Sequence, residues 1–400
     1  MRQDPPVGAL EFGLYLHTPF CATKCPYCDF YSGVFPETWV EPYVAAVRAE
    51  VAAAARDPLV APLATRGRAA SLFIGGGTPS HLAPAALERL VVGIRDRFPL
   101  APDAECTVEC NPESLTADRA RALRDLGVDR VSVGVQSLDD RVLARLGRPH
   151  DAAAAYAAAC LARASFPRVN FDLILAAPGL ARRSLEQTLD RLLALTPDHL
   201  SAYGLTIEPG TVFGALAARG ELRAAPDEEY LVQDEMVAAR AARAGLERYE
   251  VSNFARPGEE CRHNLAIWRG GFYLGFGPSA HSYLPGGAYG FRRANERDLA
   301  RYAGRLERGE SPAAPAESVN AEQAMAEFLL LGLRLTAGIE LAAFARRFGI
   351  ELAAAAGGEL ERLVGGGFLE LAGACVRTTP RGRAVLDTVL GRLTTRLAAA

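Results

Sequence analysis

Short apolar runs alternate with amphipathic stretches through the first 240 or so residues. The runs Phe12–His17, Ser71–Ile74, Glu105–Cys110, Arg130–Gln136, Arg168–Leu175 and His199–Ile207 read as strands, short and rich in β-branched and aromatic side chains. Residues 37–56, 83–98, 116–126, 139–163 and 182–195 lie between them, and 227–245 follow, with apolar positions at helical spacing. Strands separated by helices predict βαβ units and a parallel sheet. Six units predict an α/β fold, an open or partial (β/α)6 barrel, because the pattern stops near residue 245, short of a complete eight-unit barrel. Chemistry in such barrels gathers at the C-terminal ends of the strands. Each chemical motif should therefore fall just after a strand.

Residues 250–295 are rich in glycine and aromatics with weak periodicity, and ESPAAPAESVN over 310–320 reads as a linker. The tail predicts helices at Ala321–Leu335, Ala342–Phe348 and Glu359–Val364, a strand at Phe368–Leu371 with a short strand-turn-strand, and a last helix over Pro380–Leu397. That order suggests a small winged-helix-like C-terminal domain. The expected division is 1–240 for the barrel core, 241–310 for a connecting region and 311–400 for the tail. The tail is expected to cover the barrel mouth, with a docking surface as the alternative.

Composition narrows the class. Of 400 residues, 50% are hydrophobic and 23% charged, which excludes wholesale disorder and a small disulfide scaffold. A net charge of −3 gives no reason to expect nucleic acid. No run approaches a membrane span, so membrane contact is peripheral at most, and MRQDPPVGALEF has no signal-peptide pattern. The expected location is the cytoplasm, where eight cysteines stay reduced and a cluster of them reads as metal-binding or catalytic. Among 44 cationic residues only Lys24 is a lysine, and it lies inside that cluster.

Cys21, Cys25 and Cys28 form C-x3-C-x2-C directly after the first strand. Four cysteines usually hold a 4Fe–4S cube. Three would leave one iron open to a ligand, as an open position does on a catalytic metal. A zinc site with His17 or a distant residue as fourth ligand is the alternative. Cys106 and Cys110 sit in one strand, roughly 13 Å apart, too far to share a metal. Those two, with Cys160 and Cys375, read as small buried hydrophobes.

The stretch YLHTPFCATKCPYCDFYS, with Tyr27 before the last cysteine, resembles the cluster loop of the radical S-adenosylmethionine (SAM) superfamily. The resemblance implies a 4Fe–4S cluster on Cys21, Cys25 and Cys28, an electron donor for it, and SAM chelating the open iron. Gly75, Gly76, Gly77, Thr78 and Pro79 follow the second strand and resemble the segment that hydrogen-bonds the ligand's amino group. Glu109 in VECNP, Gln136 in GVQSLDD, Arg148 in LGRPH and Asp172 in FDLI match positions that contact SAM in relatives. Carboxylates and an amide suit ribose hydroxyls, and arginine suits a carboxylate. Tyr15 matches a tyrosine near a second ligand or the substrate, and also reads as a core residue.

GGGTPS, LSAYGLTIEPGT, EVSNFA and GPSAHSYL extend the resemblance to the group containing oxygen-independent coproporphyrinogen III dehydrogenase and the heme chaperone HemW family. The dehydrogenase branch has a further cysteine where Phe30 stands, and a long segment before the cluster, where 20 residues precede Cys21. CRHNLAIW resembles the chaperone motif H-N-x-x-Y-W through His263, Asn264 and Trp268, with Ile267 replacing the tyrosine. The chaperone branch implies heme binding on His263 and transfer of heme to an acceptor protein; the alternative is radical decarboxylation in porphyrin biosynthesis. Imidazole is a good axial ligand. Trp268, Phe272, Tyr273 and Phe276 offer apolar faces, and Arg262, Arg269, Arg292 and Arg293 suit propionates. His281 is an alternative ligand, and Cys261 a candidate for addition to a vinyl group.

Overall fold

Six parallel strands run side by side in chain order: β1 (Leu10–Thr18), β2 (Gly67–Gly76), β3 (Leu100–Cys110), β4 (Arg130–Gln136), β5 (Arg168–Leu175) and β6 (His199–Gly204). The computed structural model describes residues 10–397; the first nine residues, which hold most of the stretch without a signal-peptide pattern, and the last three lie outside the described residues. The expected partial barrel is what the chain forms. Each strand buries one apolar row under the helices, as Leu14 and Leu16 do on β1 and Val131, Val133 and Val135 on β4. The alternate row faces the interior of the sheet's curve and is polar: Arg130 and Ser132 on β4, Asn170 and Asp172 on β5, His199 and Ser201 on β6.

Helices Val40–Ala54, Pro84–Arg95, Ala117–Asp125, Arg182–Leu193 and Asp227–Arg243 fall where the periodicity predicts them. The stretch predicted helical over 139–163 is instead two helices, Asp140–Arg145 and Ala152–Ser165. Gly147 at φ +64° breaks the helical path, and Asp151 caps the second helix by accepting from Ala154 N. Arg148 lies in that break, which delivers its guanidinium to the strand ends.

The weakly periodic segment is structured. β7 (Glu247–Arg248) and β8 (Asn253–Ala255) extend the sheet antiparallel beyond β6. On the opposite edge β9 (Tyr273–Phe276) runs parallel to β1, followed by β10 (His281–Leu284), β11 (Phe291–Ala294) and β12 (Glu317–Ser318), which falls inside the expected linker. Strands of two to four residues are too short to show a period of two.

The tail has its own core around Leu329, Phe344, Leu363 and Val389 and a three-stranded antiparallel sheet of β13 (Ile339–Glu340), β14 (Leu369–Ala372) and β15 (Cys375–Thr378). This is the expected winged-helix-like arrangement, with the last helix divided into Pro380–Ala384 and Leu386–Leu397. The tail does not line the barrel mouth as expected: among the described residues none from 311 onward borders either strand-end cavity. It docks on the sheet extension: Thr336 N donates to Tyr249 O at 3.0 Å, and Tyr289 packs on Phe348 at 5.6 Å. No helix among the described residues is long and apolar enough to cross a membrane.

Candidate functional site

The cysteine loop leaves β1 and closes on itself. Cys21 N donates to Gly33 O and Gly33 N to Pro19 O, both at 2.9 Å. Cys21, Cys25 and Cys28 are free thiols, and all three line one cavity of about 370 Å³ at the strand ends. Thr78 Oγ1 donates to Cys21 Sγ at 3.5 Å, Arg148 Nη1 to Cys25 Sγ at 3.6 Å, and Lys24 Nζ to Cys28 Sγ at 3.7 Å. Burial pushes the Cys21 thiol up, while the Thr78 and Ser32 hydroxyls act in the opposite direction. Lys24 also donates to Phe30 O at 2.6 Å and Ser32 Oγ at 2.9 Å, so the chain's one lysine ties the loop's last residues to the third thiol.

The zinc alternative lacks its fourth ligand. His17 Nε2 lies 2.7 Å from Tyr31 O and Nδ1 lies 3.0 Å from Tyr15 OH, so both ring nitrogens are engaged. Among the described residues no three His, Cys, Asp or Glu side chains crowd closely enough for one metal ion. A group wide enough to reach three separated thiols is what this loop suits.

Gly76, Gly77, Thr78, Glu109, Gln136, Arg148 and Asp172 line the same cavity. Gly76 takes φ +106°, and a Cβ there would meet the His17 ring at 2.6 Å, so only glycine lets β2 end this way. Gly76 N donates to Glu109 Oε2 at 3.0 Å. Burial, reinforced by the Asp172 carboxylate, raises Glu109 to about 7 in spite of that bond. Gln136 ends β4 at φ +63°, a conformation that costs a non-glycine residue about 1 kcal/mol or more and turns its amide into the cavity. Asp172 is not at a strand end as expected. It lies in mid-β5, accepting from Ser132 Oγ and Asn170 Nδ2 at 2.8 Å each, and burial raises its pKa. Arg148 Nη2 donates to Gly134 O at 2.9 Å and Asn111 Oδ1 at 3.3 Å, while its buried Nε has no partner.

Tyr15 and His263 lie apart from this group, in an adjoining cavity of about 560 Å³. Phe30, Glu109, Ser132, Asp172 and Tyr203 line both spaces. His263 opens the helix Arg262–Trp268, with Nδ1 2.8 Å from Ser71 Oγ and its ring stacked on Phe73 at 5.2 Å and Tyr15 at 6.4 Å. Burial lowers its pKa to about 4, so the imidazole is neutral near pH 7. When Nδ1–H donates to Ser71, Nε2 keeps its lone pair.

The expected porphyrin-facing residues do not gather around His263. Of the four aromatics only Tyr273 lines its cavity; Trp268 opens on a different one, Phe276 is core, and Phe272 packs against Tyr283 at 5.1 Å. Arg262 pairs with Asp103, Arg293 with Asp57 and Arg292 with Glu327, and Arg269 lines the Trp268 cavity. The helix carrying the motif explains the split, since residues 263 and 268 are five apart and project from different faces. Cys261 is fully buried and donates to Glu105 Oε1 at 3.5 Å, which removes it from any heme edge. His281, the alternative ligand, is exposed at the rim of the His263 cavity. Cys106 and Cys110 are buried as expected, whereas Cys160 and Cys375 are only partly so.

Sequence reading missed Asn111, which bridges Thr78 Oγ1 and Arg148. It also missed the floor of the second cavity: Arg130, Asn170, His199 and Ser201. The available signal was the polar residue at every second position of β4, β5 and β6, where a buried parallel strand is ordinarily apolar throughout.

A partial barrel with three thiols and a carboxylate-rich floor at its strand ends defines the radical SAM class. Residues 15–192 match the radical SAM superfamily, and residues 319–385 match the HemN C-terminal domain. The heme chaperone HemW of Mycobacterium tuberculosis is 40% identical over 398 residues, covering 97% of this chain and 96% of that protein. That of Bacillus subtilis is 32% identical over 381 residues, covering 94% and 97%. The solved structure of coproporphyrinogen III oxidase (HemN) from Escherichia coli has the same fold, with TM-score 0.82 at 23% identity over 97% of this chain and 91% of that one. The chain belongs to the heme chaperone HemW family of the radical SAM superfamily.

Proposed function

We propose that this protein is a heme chaperone: it holds a 4Fe–4S cluster, SAM and heme, and passes heme to an acceptor protein in the cytoplasm. The barrel core over 1–240 carries cluster and SAM, the segment 241–310 carries the heme ligand, and 311–400 is the winged-helix-like module. An electron donor supplies the cluster. Cys21, Cys25 and Cys28 hold the cube. Gly76, Gly77, Thr78, Glu109, Gln136, Arg148 and Asp172 hold SAM, and Tyr15 lines the heme space beside His263. When bound, the cluster supplies an electron and SAM a sulfonium that accepts it.

This chain's residues bind and orient. The unpartnered Nε of Arg148 is matched to a carboxylate. Glu109 near 7 and the raised Asp172 accept or donate at hydroxyls with little rearrangement. The observation that carries the heme reading is a buried, neutral imidazole, His263, oriented by Ser71 beside the cluster cavity. Anaerobic protein given SAM, a reductant and coproporphyrinogen III is expected to make no protoporphyrinogen, while hemin-loaded protein passes heme to an apo-acceptor. Multiple-turnover decarboxylation would overturn the reading in favour of the dehydrogenase.

Two variants test the cofactor assignments. Arg148→Ala is expected to weaken SAM binding by about 2–5 kcal/mol, because a ligand carboxylate loses its partner; calorimetry showing unchanged affinity removes Arg148 from the site. Lys24→Gln removes the ammonium beside Cys28 and is expected to lower the cluster's midpoint potential by on the order of tens of millivolts. Lys24→Arg, which keeps the charge, is expected to retain most of it. An EPR-monitored redox titration with equal potentials for all three proteins rejects the charge effect.

A further inference from the structure

Asn111 follows the last residue of β3, two positions past Glu109, and lines the cavity that the three cysteines share. It opens the short helical turn Pro112–Ser114, where Ser114 N donates to Asn111 O at 3.0 Å and Asn111 N to Ser114 Oγ at 3.3 Å. Its amide bridges two other residues. Nδ2 donates to Thr78 Oγ1 at 2.9 Å, and Oδ1 accepts from Arg148 Nη2 at 3.3 Å. The reverse orientation would set the amide N–H groups against a guanidinium N–H, donor facing donor, so the network fixes the amide. Thr78 then has one hydrogen to give, and it goes to Cys21 Sγ at 3.5 Å. Arg148 gives Nη1 to Cys25 Sγ at 3.6 Å. Cys21 and Cys25 are thus the two ends of one hydrogen-bonded chain, with Asn111 at its middle and a donor aimed at each sulfur; Lys24 serves Cys28 separately. Gly134 makes room for the chain, since a Cβ there would meet Arg148 Nη2 at 2.7 Å and Asn111 Oδ1 at 2.9 Å.

We propose that Asn111 is a positioning residue for both cofactors: it holds the Thr78 hydroxyl on Cys21 and the Arg148 guanidinium on Cys25 as one unit, and so raises the cluster's reduction potential and aims Arg148 at the SAM carboxylate. This role rests on the cluster and SAM assignments and is independent of heme. Hydrogen bonds to the sulfurs raise a cluster's potential because reduction adds negative charge that a donor stabilises. A carboxylate at 111 has the shape of the amide but no N–H. Thr78 would turn its hydrogen from Cys21 to that carboxylate, and the added charge would offset that of Arg148. Alanine leaves Thr78 free to stay on Cys21, and Arg148 keeps Gly134 O at 2.9 Å. Aspartate, an equally good residue to open a helical turn, is therefore the more damaging change. A residue that served only the turn would give the opposite order.

Reconstituted wild type, Asn111→Ala and Asn111→Asp are compared by iron analysis, by EPR-monitored redox titration and by calorimetry with SAM. All three are expected to hold the cluster, with the midpoint potential falling from wild type to Asn111→Ala to Asn111→Asp. SAM affinity is expected to fall roughly twofold to threefold with alanine and roughly tenfold with aspartate. Thr78→Val keeps the shape and loses the hydroxyl; in that background the potential change caused by Asn111→Asp is expected to shrink, because the coupling runs through Thr78. Aspartate milder than alanine, a potential change of the same size in both backgrounds, or loss of the cluster from either Asn111 variant overturns the proposal, the last in favour of a structural role. Wild type that holds no cluster or binds no SAM removes the assignments themselves, and the role of Asn111 with them. Wild type that holds both, with Asn111 variants indistinguishable from it, removes the role of Asn111 alone.

Discussion

Alanine at Cys21, Cys25 or Cys28 is expected to take anaerobically reconstituted protein from about four irons per chain to almost none, with loss of the charge-transfer absorbance near the cluster band. The three positions are not interchangeable with a fourth ligand elsewhere. His17 is engaged at both nitrogens, Cys110 is buried with its thiol pushed up to about 12, and Cys106 is held up to about 11 by burial. No nearby thiol can therefore ionise readily to replace a lost one. The fold should survive the change. The loop is closed by backbone hydrogen bonds from Cys21 N and Gly33 N, and by Lys24 on Phe30 O, none of which uses a thiol. Circular dichroism of the variants should overlay the wild type while iron analysis and EPR report the loss. A triple variant that keeps a full cluster would sink the assignment.

The cluster loop was the most legible part of the chain because its spacing is local. Three thiols within eight residues need no knowledge of the fold, and their place after β1 followed from one apolar run. The strands β4 and β5 were readable to the residue, since Arg130–Gln136 and Arg168–Leu175 are bounded by turns and each presents an unbroken apolar face. What failed was what depends on a third element. Arg148 stands out in its motif, but the helix break that aims it is hidden by an apolar periodicity that runs across 139–163. Asp172 lies inside the Arg168–Leu175 run, and β5 continues for three residues past it, so it reaches the cavity from the floor rather than from a strand end. The heme residues failed for a different reason. Trp268 and His263 belong to one six-residue motif, yet one helix of seven residues turns them to different cavities. Arg262, Arg292 and Arg293 were free cations in the sequence and are ion-paired in the structure. Their partners Asp103, Glu327 and Asp57 come from distant elements that no local pattern connects.

His263→Ala is expected to weaken hemin binding by at least about tenfold and to remove the Soret shift of an imidazole-ligated iron. The ring it removes stacks on Phe73 and Tyr15, and alanine offers no nitrogen in place of its Nε2. Ser71→Ala deletes the hydrogen bond that selects the tautomer and is expected to cost about tenfold by itself, with the band weakened rather than lost. His281→Ala, at the exposed rim, is expected to leave the spectrum unchanged. The pH dependence gives an independent sign. Burial lowers the His263 pKa to about 4, so the lone pair that binds iron persists on acidification past the usual histidine range near 6.5 and is lost only as pH falls toward 4. Wild-type ligation should therefore be intact at about pH 5.5. A spectrophotometric titration with its acid midpoint near 6.5 would mean that the iron sits on a different, solvent-exposed imidazole. A midpoint well below that, abolished together with the Soret band in His263→Ala, is the result the buried site requires.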